Sequence, residues 1–200
     1  MQAAFYLFSI GGAIGAFDVF YYHMYKCRLW QRPQSAAENV THAIRALIFS
    51  VFFLMIMHVD ARGSWWWAYV GLCGAEMVNS MLDTYLERKS RADQGGLMNG
   101  EYCLHVFLSV LIGAGMACML FSSHGQLNDA TSIGWREIDV PPMFALAGHA
   151  SIFLGVCFFL FEGSMVVRLV SKKTAAEPAK AVPEAPISET GVRELAKKAA

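Results

Sequence analysis

Charge is scarce in this chain: Asp, Glu, Lys and Arg make up 16% of 200 residues against 56% hydrophobic, which excludes an ordinary water-soluble domain with a polar shell. Cysteines are few and unpatterned. Cys27, Cys73, Cys103, Cys118 and Cys157 are odd in number and never at C-x-x-C spacing. That leaves out a disulfide framework and a zinc knuckle and reads them as small packing residues. There is no Gly-rich nucleophile elbow and no phosphate-cradling loop, since Gly11-Gly12 lies in an apolar run without the required lysine. Basic residues fall in short clusters rather than a patch, so no nucleic-acid partner is expected. The first run lacks a basic leader and a small-residue cleavage site before Asp18, and reads as a retained helix.

What the chain has in abundance is long apolar runs. Five stand out, over residues 3–25, 41–58, 65–86, 102–121 and 143–170. Each is near the ~20 residues a helix needs to cross a bilayer. The expected fold is an all-α integral membrane bundle of about five transmembrane helices, with a domain over 1–170 and a tail over 171–200. Lys26, Arg28 and Arg32 follow the first run, Arg88, Lys89 and Arg91 the third, and Arg168, Lys172 and Lys173 the fifth. The other two loops offer only Arg62 and Arg136. The positive-inside rule then puts the N-terminus outside and the tail in the cytoplasm. Trp65, Trp66 and Trp67 mark an outer aromatic belt, and Tyr21, Tyr22, Tyr25 and Trp30 an inner one. Gly11, Gly12 and Gly15, with Gly113 and Gly115, predict close helix packing. The tail turns to Ala, Pro, Glu and Lys, which predicts disorder, a short helix over 192–198, and a possible docking site for a protein partner.

Acids and histidines are expensive inside spans, so each needs a reason. Asp18 and His23 fall near the inner end of the first run, and Glu38 and His42 near the inner start of the second. Asp83 and Glu87 close the third, and Glu101 and His105 open the fourth. All eight share one depth. Glu38/His42, Asp83/Glu87 and Glu101/His105 are four apart and share helix faces, whereas Asp18/His23, five apart, requires the first helix to end or distort near Tyr22. Glu76, Asn79, Asp83 and Glu87 form a stripe on one side of the third helix, with Arg45 as a partner for Glu76 or Asp83. The Glu-x-x-x-His pair recurs, Glu38/His42 and then Glu101/His105, which suggests two tandem hairpins forming a four-helix core with the fifth helix as a flank.

Carboxylates and imidazoles together suit iron, zinc or manganese, and carboxylate-rich bundle cores commonly hold two ions. The soluble di-iron motif is Glu-x-x-His, so the Glu-x-x-x-His here is related chemistry rather than the same motif. The pattern of Asp, His, Glu-x-x-x-His-x-x-Arg and a later Glu-Arg before a second Glu-x-x-x-His resembles an uncharacterised group of bacterial multi-pass membrane proteins. That resemblance covers residues 18–105 and implies no activity. The expected location is the bacterial inner membrane, and the expected function is a dinuclear metal centre, iron favoured over zinc or manganese, oxidising a lipid-soluble substrate. Its ligands are Glu38, His42, Glu101 and His105, completed by Asp83, Glu87, Asp18 and His23. Three alternatives stand beside it: an ion pathway along the Glu76–Asn79–Asp83–Glu87 stripe, a salt-bridge network using Arg28, Arg45, Arg88 and Arg91, and a non-catalytic subunit. Haem fits the carboxylate surplus poorly. His58, His124 and His149, toward the outer face with Asp60 and Asp129 nearby in loops, read as solvated or core histidines, with a second metal or haem site as the alternative.

Overall fold

The computed structural model describes residues 1–176 and is mostly helical. Helices α1 (Gln2–Asp18), α2 (Ala36–Met57), α3 (Trp67–Ser90), α4 (Asn99–Ser123) and α5 (Pro142–Ala176) are joined at one end by a two-stranded antiparallel ribbon, β1 (Val59–Arg62) with β2 (Ser132–Trp135). Pro142 opens α5, where its missing N–H is harmless. The helix continues past residue 170 to Ala176; the rest of the expected tail, including 192–198, lies outside the described residues.

Four stretches are long and apolar enough to cross a membrane: Gln2–Lys26, Pro33–Met57, Asn99–Asn128 and Pro142–Lys172. These fit an integral membrane protein. Helix α3 is not among them because its polar stripe lowers its hydropathy. Its amphipathicity runs opposite to that of a helix in water: Glu76, Asn79, Asp83 and Glu87 are buried, while Met77, Val78, Met81, Leu82 and Tyr85 are exposed. The belt residues Trp30, Trp65, Trp67 and Tyr25 are exposed as expected, but Trp66 turns inward and donates its indole N–H to Ser123 Oγ at 3.0 Å.

The bundle interior divides in two along its length. Nearer the ribbon it is apolar, built on Phe5, Phe8, Phe52, Ile56, Tyr69 and Met119, with Phe8 stacked on Phe52 at 4.5 Å. The ribbon end is fastened by Arg136, whose Nη2 donates to the carbonyls of Met55 and Val59 at 2.9 and 2.6 Å, satisfying an orphan carbonyl of the α2 terminus. The opposite half of the interior is polar.

Helix α1 lies chiefly on α4, and α2 on α3 and α5, so the two members of each expected hairpin, α1 with α2 and α3 with α4, touch less than helices from different hairpins. Helix α5, expected as a flank, lies closely along α2. Two glycines allow this. A Cβ on Gly155 would meet the Ala46 carbonyl oxygen at 2.7 Å, and one on Gly148 would meet Met57 Cε at 3.0 Å. Beside Gly155, Ser50 Oγ donates across the interface to the Ile152 carbonyl at 3.0 Å. Of the glycines singled out in the sequence, Gly115 packs on Phe8 and Gly11 faces Ile112, while Gly12, Gly15 and Gly113 face open space.

Beyond Asp18 the first helix widens into π-helical turns over Val19–Lys26, with the Cys27 N–H donating to the Tyr22 carbonyl five residues back at 2.8 Å. Arg28 then takes a left-handed conformation (φ 49°) that ends the helix. Gly95 and Gly96, at φ 85° and 95°, turn the chain from α3 into α4.

If the α2–α5 contact depends on missing side chains, Gly155→Ala lowers stability by roughly 1–3 kcal/mol through overpacking. Gly163→Ala, which faces open space, leaves stability unchanged or slightly raised. Thermal unfolding of both variants in detergent distinguishes these outcomes.

Candidate metal centre

The polar half of the bundle is built by four helices and by the π-helical end of α1. In an α-helix Asp18 and His23 would point apart; the π-turn, with its wider repeat, brings His23 Nε2 to 3.5 Å from Asp18 Oδ2. Helix α2 contributes Glu38 and His42 from its first two turns, α3 contributes Asp83 and Glu87 from its last two, and α4 contributes Glu101 and His105. All eight residues meet in one place.

Three imidazoles form the spine of the cluster. His23 Nδ1 lies 3.2 Å from His42 Nδ1, and His23 Nε2 lies 3.1 Å from Glu101 Oε1. The other nitrogen of His42, Nε2, faces Asp83 Oδ1 at 3.3 Å. His105 places Nε2 at 3.0 Å from Asp18 Oδ2 and Nδ1 at 3.5 Å from Glu87 Oε1. Two ligand groups result, Asp18, His23, Glu101 and His105 in one and His23, Glu38, His42 and Glu87 in the other, with candidate ligand atoms within 4.8 Å of one another in each. Both groups contain His23. Asp83 stands outside them: Arg45 Nη1 at 2.8 Å and the Thr41 hydroxyl hold its oxygens, and Oδ1 also faces His42 Nε2.

Two arginines enter the same region. Arg91, fully buried just after α3, donates from Nη2 to Glu38 Oε1 at 2.7 Å and lies 2.9 Å from Glu101 Oε1. Burial works against its charge, but the hydrogen bonds and charge of Glu38, aided by Glu101, outweigh that and raise its pKa above the ordinary arginine value. Its Nη1 also lies 3.0 Å from Cys27 Sγ, a thiol whose pKa burial pushes up. Ser90 Oγ donates to the second oxygen of Glu38. Arg45 spans Glu76 at 3.2 Å and Asp83 at 2.8 Å, as its spacing predicts. Asn79 is occupied in packing, donating to the Thr41 carbonyl at 3.1 Å.

The charge does not balance. Asp18, Glu38, Glu76, Asp83, Glu87, Glu101 and Glu162 are all buried, seven carboxylates against the two guanidiniums of Arg45 and Arg91. Leaving a charge buried and unpaired costs several kcal/mol, so the surplus calls for protons or cations. Within the cluster Asp18 Oδ1 has no polar partner, while His23 Nε2, His42 Nε2, Glu87 Oε1 and Glu101 Oε1 make no hydrogen bond beyond the ion-pair contacts given above. Two imidazole nitrogens held ~2.0–2.1 Å from one ion stand roughly 2.9–3.4 Å apart at tetrahedral or right-angle spacing, and the His23–His42 separation of 3.2 Å falls inside that range. These buried His, Asp and Glu groups therefore have the donor set and spacing to hold metal ions.

Glu162 was not among the residues the sequence singled out. It lies buried on α5 within Coulombic range of His42 and Glu38, with Oε2 unpartnered. The signal was present, since an acid in the middle of the fifth apolar run needs a reason of its own. Treating that helix as a flank hid it.

Comparison with family models, with curated proteins and with solved structures finds no match for the chain, so its site is read from geometry alone.

Removing the Arg91 guanidinium strands Glu38 and Glu101. Arg91→Gln is expected to lose about 3–5 kcal/mol, and Arg91→Lys, which keeps the charge but not the fork, less. Denaturant titration in detergent checks this; a fully stable Arg91→Gln would show that other cations hold the two glutamates.

Proposed function

We propose that the chain is a five-span membrane protein whose polar half holds a dinuclear carboxylate/histidine centre near the cytoplasmic face, and that the centre serves oxidation of a lipid-soluble substrate. The reading of α3 as a fifth span rests on its polar stripe facing the interior and its apolar residues facing outward. Orientation rests on charge: Lys26, Arg28, Arg32, Arg88 and Lys89 gather at the polar end, against Arg62 and Arg136 at the ribbon. By that rule the N-terminus is outside and the tail cytoplasmic.

The observation that carries the proposal is the sharing of His23 between two buried ligand groups, each with its candidate ligand atoms within 4.8 Å of one another. Residues Asp18, Glu101 and His105 would hold one ion, and Glu38, His42 and Glu87 the other, with His23 between them. Iron is favoured by the mixture of oxygen and imidazole donors, with manganese or zinc as substitutes. A redox-active pair would supply one-electron steps, with dioxygen as the oxidant. The chain's own residues supply orientation and proton handling: Asp83 fixes the His42 ring, Arg91 restrains Glu38 and Glu101, and Glu162 offers a buried proton acceptor beside them. The outer surfaces of α3 and α4 are apolar and exposed, which suits contact with a lipid-soluble molecule.

The ion-pathway reading has less support, because Arg45 and Thr41 occupy Glu76, Asn79 and Asp83. A metal-free salt-bridge network is the stronger rival, given Arg45 and Arg91.

Metal analysis of single-site variants separates the two. His23→Gln, touching both groups, is expected to lose most of the bound metal, while His105→Gln, touching one, loses about half. An iron centre also gives a visible spectrum that bleaches on reduction and returns in air. Equal metal content in wild type and His23→Gln overturns the proposal and favours the network.

A further inference from the structure

A second pair of histidines lies at the ribbon end of the bundle, away from the centre described above. His58 caps α2 and His149 sits in the second turn of α5, and their Nε2 atoms are 3.0 Å apart. We infer that His58 and His149 form a separate, solvent-accessible site for a borderline divalent transition-metal ion, copper(II) above all.

Three features of the pair carry this. The His149 ring lies with Nδ1 2.7 Å from the Ala145 carbonyl, so that nitrogen donates its proton and Nε2 presents a bare lone pair toward His58. This backbone anchoring of the rear nitrogen is the arrangement found behind metal-bound histidines. His58 is set differently, by stacking on the Trp135 indole at 4.5 Å and 14°, and its Nε2–H donates to the His149 Nε2 lone pair, a proton that shifts to Nδ1 when an ion takes its place. The ribbon thus holds one ring and the α5 backbone the other, before any ion arrives. Finally, a 3.0 Å separation matches two nitrogens on one side of a single ion ~2.0–2.1 Å from each. It excludes haem between them, since axial nitrogens on opposite sides of one iron stand roughly 4 Å apart.

The site's exposure distinguishes it from the inner centre. His149 is exposed and His58 half-buried, and no carboxylate pairs with either ring among the described residues, so positions on an ion beyond the two imidazoles stay open. Two neutral imidazoles with open positions favour copper(II), the tightest binder of the first-row divalent series.

The test uses the full chain in detergent, with its inner centre as purified, titrated with copper(II) chloride and followed by electron paramagnetic resonance and elemental analysis. Expected is one added copper per chain, with nitrogen hyperfine structure from two imidazoles, stripped by EDTA while the inner metal content stays constant. His58→Gln and His149→Gln should each weaken this binding by at least about tenfold. Retained binding in both variants, or loss of the signal in His23→Gln instead, overturns the assignment. So does a wild-type chain that takes up no added copper.

Discussion

Arg91 reaches from the end of α3 to Glu38 on α2 and Glu101 on α4, and the rest of the polar half depends on how far one guanidinium can balance the acids around it. In a bilayer the apolar half needs only close packing, which Phe8, Phe52 and the glycines facing α2 supply. The polar half has no water to solvate it, and removing any one partner exposes the full desolvation cost of the others. Arg45 repeats the device one step deeper, between Glu76 and Asp83. Both arginines together still leave most of the buried carboxylates unmatched. That shortfall, rather than any motif, is the reason for placing cations among them.

The geometry that makes room for cations comes from a local irregularity. The π-helical turns over Val19–Lys26 rotate His23 inward, and this one ring then touches both ligand groups. An unbroken α-helix would have pointed His23 about 140° away from Asp18 and out of the cluster. The left-handed turn at Arg28 completes the irregular stretch and lets the chain enter α2 directly below the cluster. The contacts that hold this irregular segment in place are the ring's three polar neighbours, Asp18, His42 and Glu101.

Much of this was legible in the sequence, for physical reasons that differ between elements. Apolar run length found the helices, and four-residue spacing placed Glu38/His42 and Glu101/His105 on shared faces, where they meet. The five-residue gap of Asp18/His23 signalled a distortion near Tyr22, but period counting alone could not say that it would be π-helical. Arg45 was readable from its place one turn beyond His42. Arg91 was readable only as one of four arginines in the salt-bridge alternative, because topology explains a loop arginine without requiring it to be buried. Helix pairing was illegible, because repeat symmetry favours hairpin neighbours, whereas Gly148 and Gly155 draw α5 onto α2. Glu162 followed from that same pairing and became visible only with it.

The central claim is that metal ions, not protons alone, balance the carboxylates around His23. Anomalous diffraction from crystals of the metal-loaded chain, collected above and below the iron edge, tests it most directly. The account predicts two anomalous peaks flanking the His23 ring, one toward Asp18, Glu101 and His105 and the other toward His42, Glu38 and Glu87. A map with no anomalous density among these residues, in protein whose His23, Asp18 and Glu87 are well ordered, would contradict it.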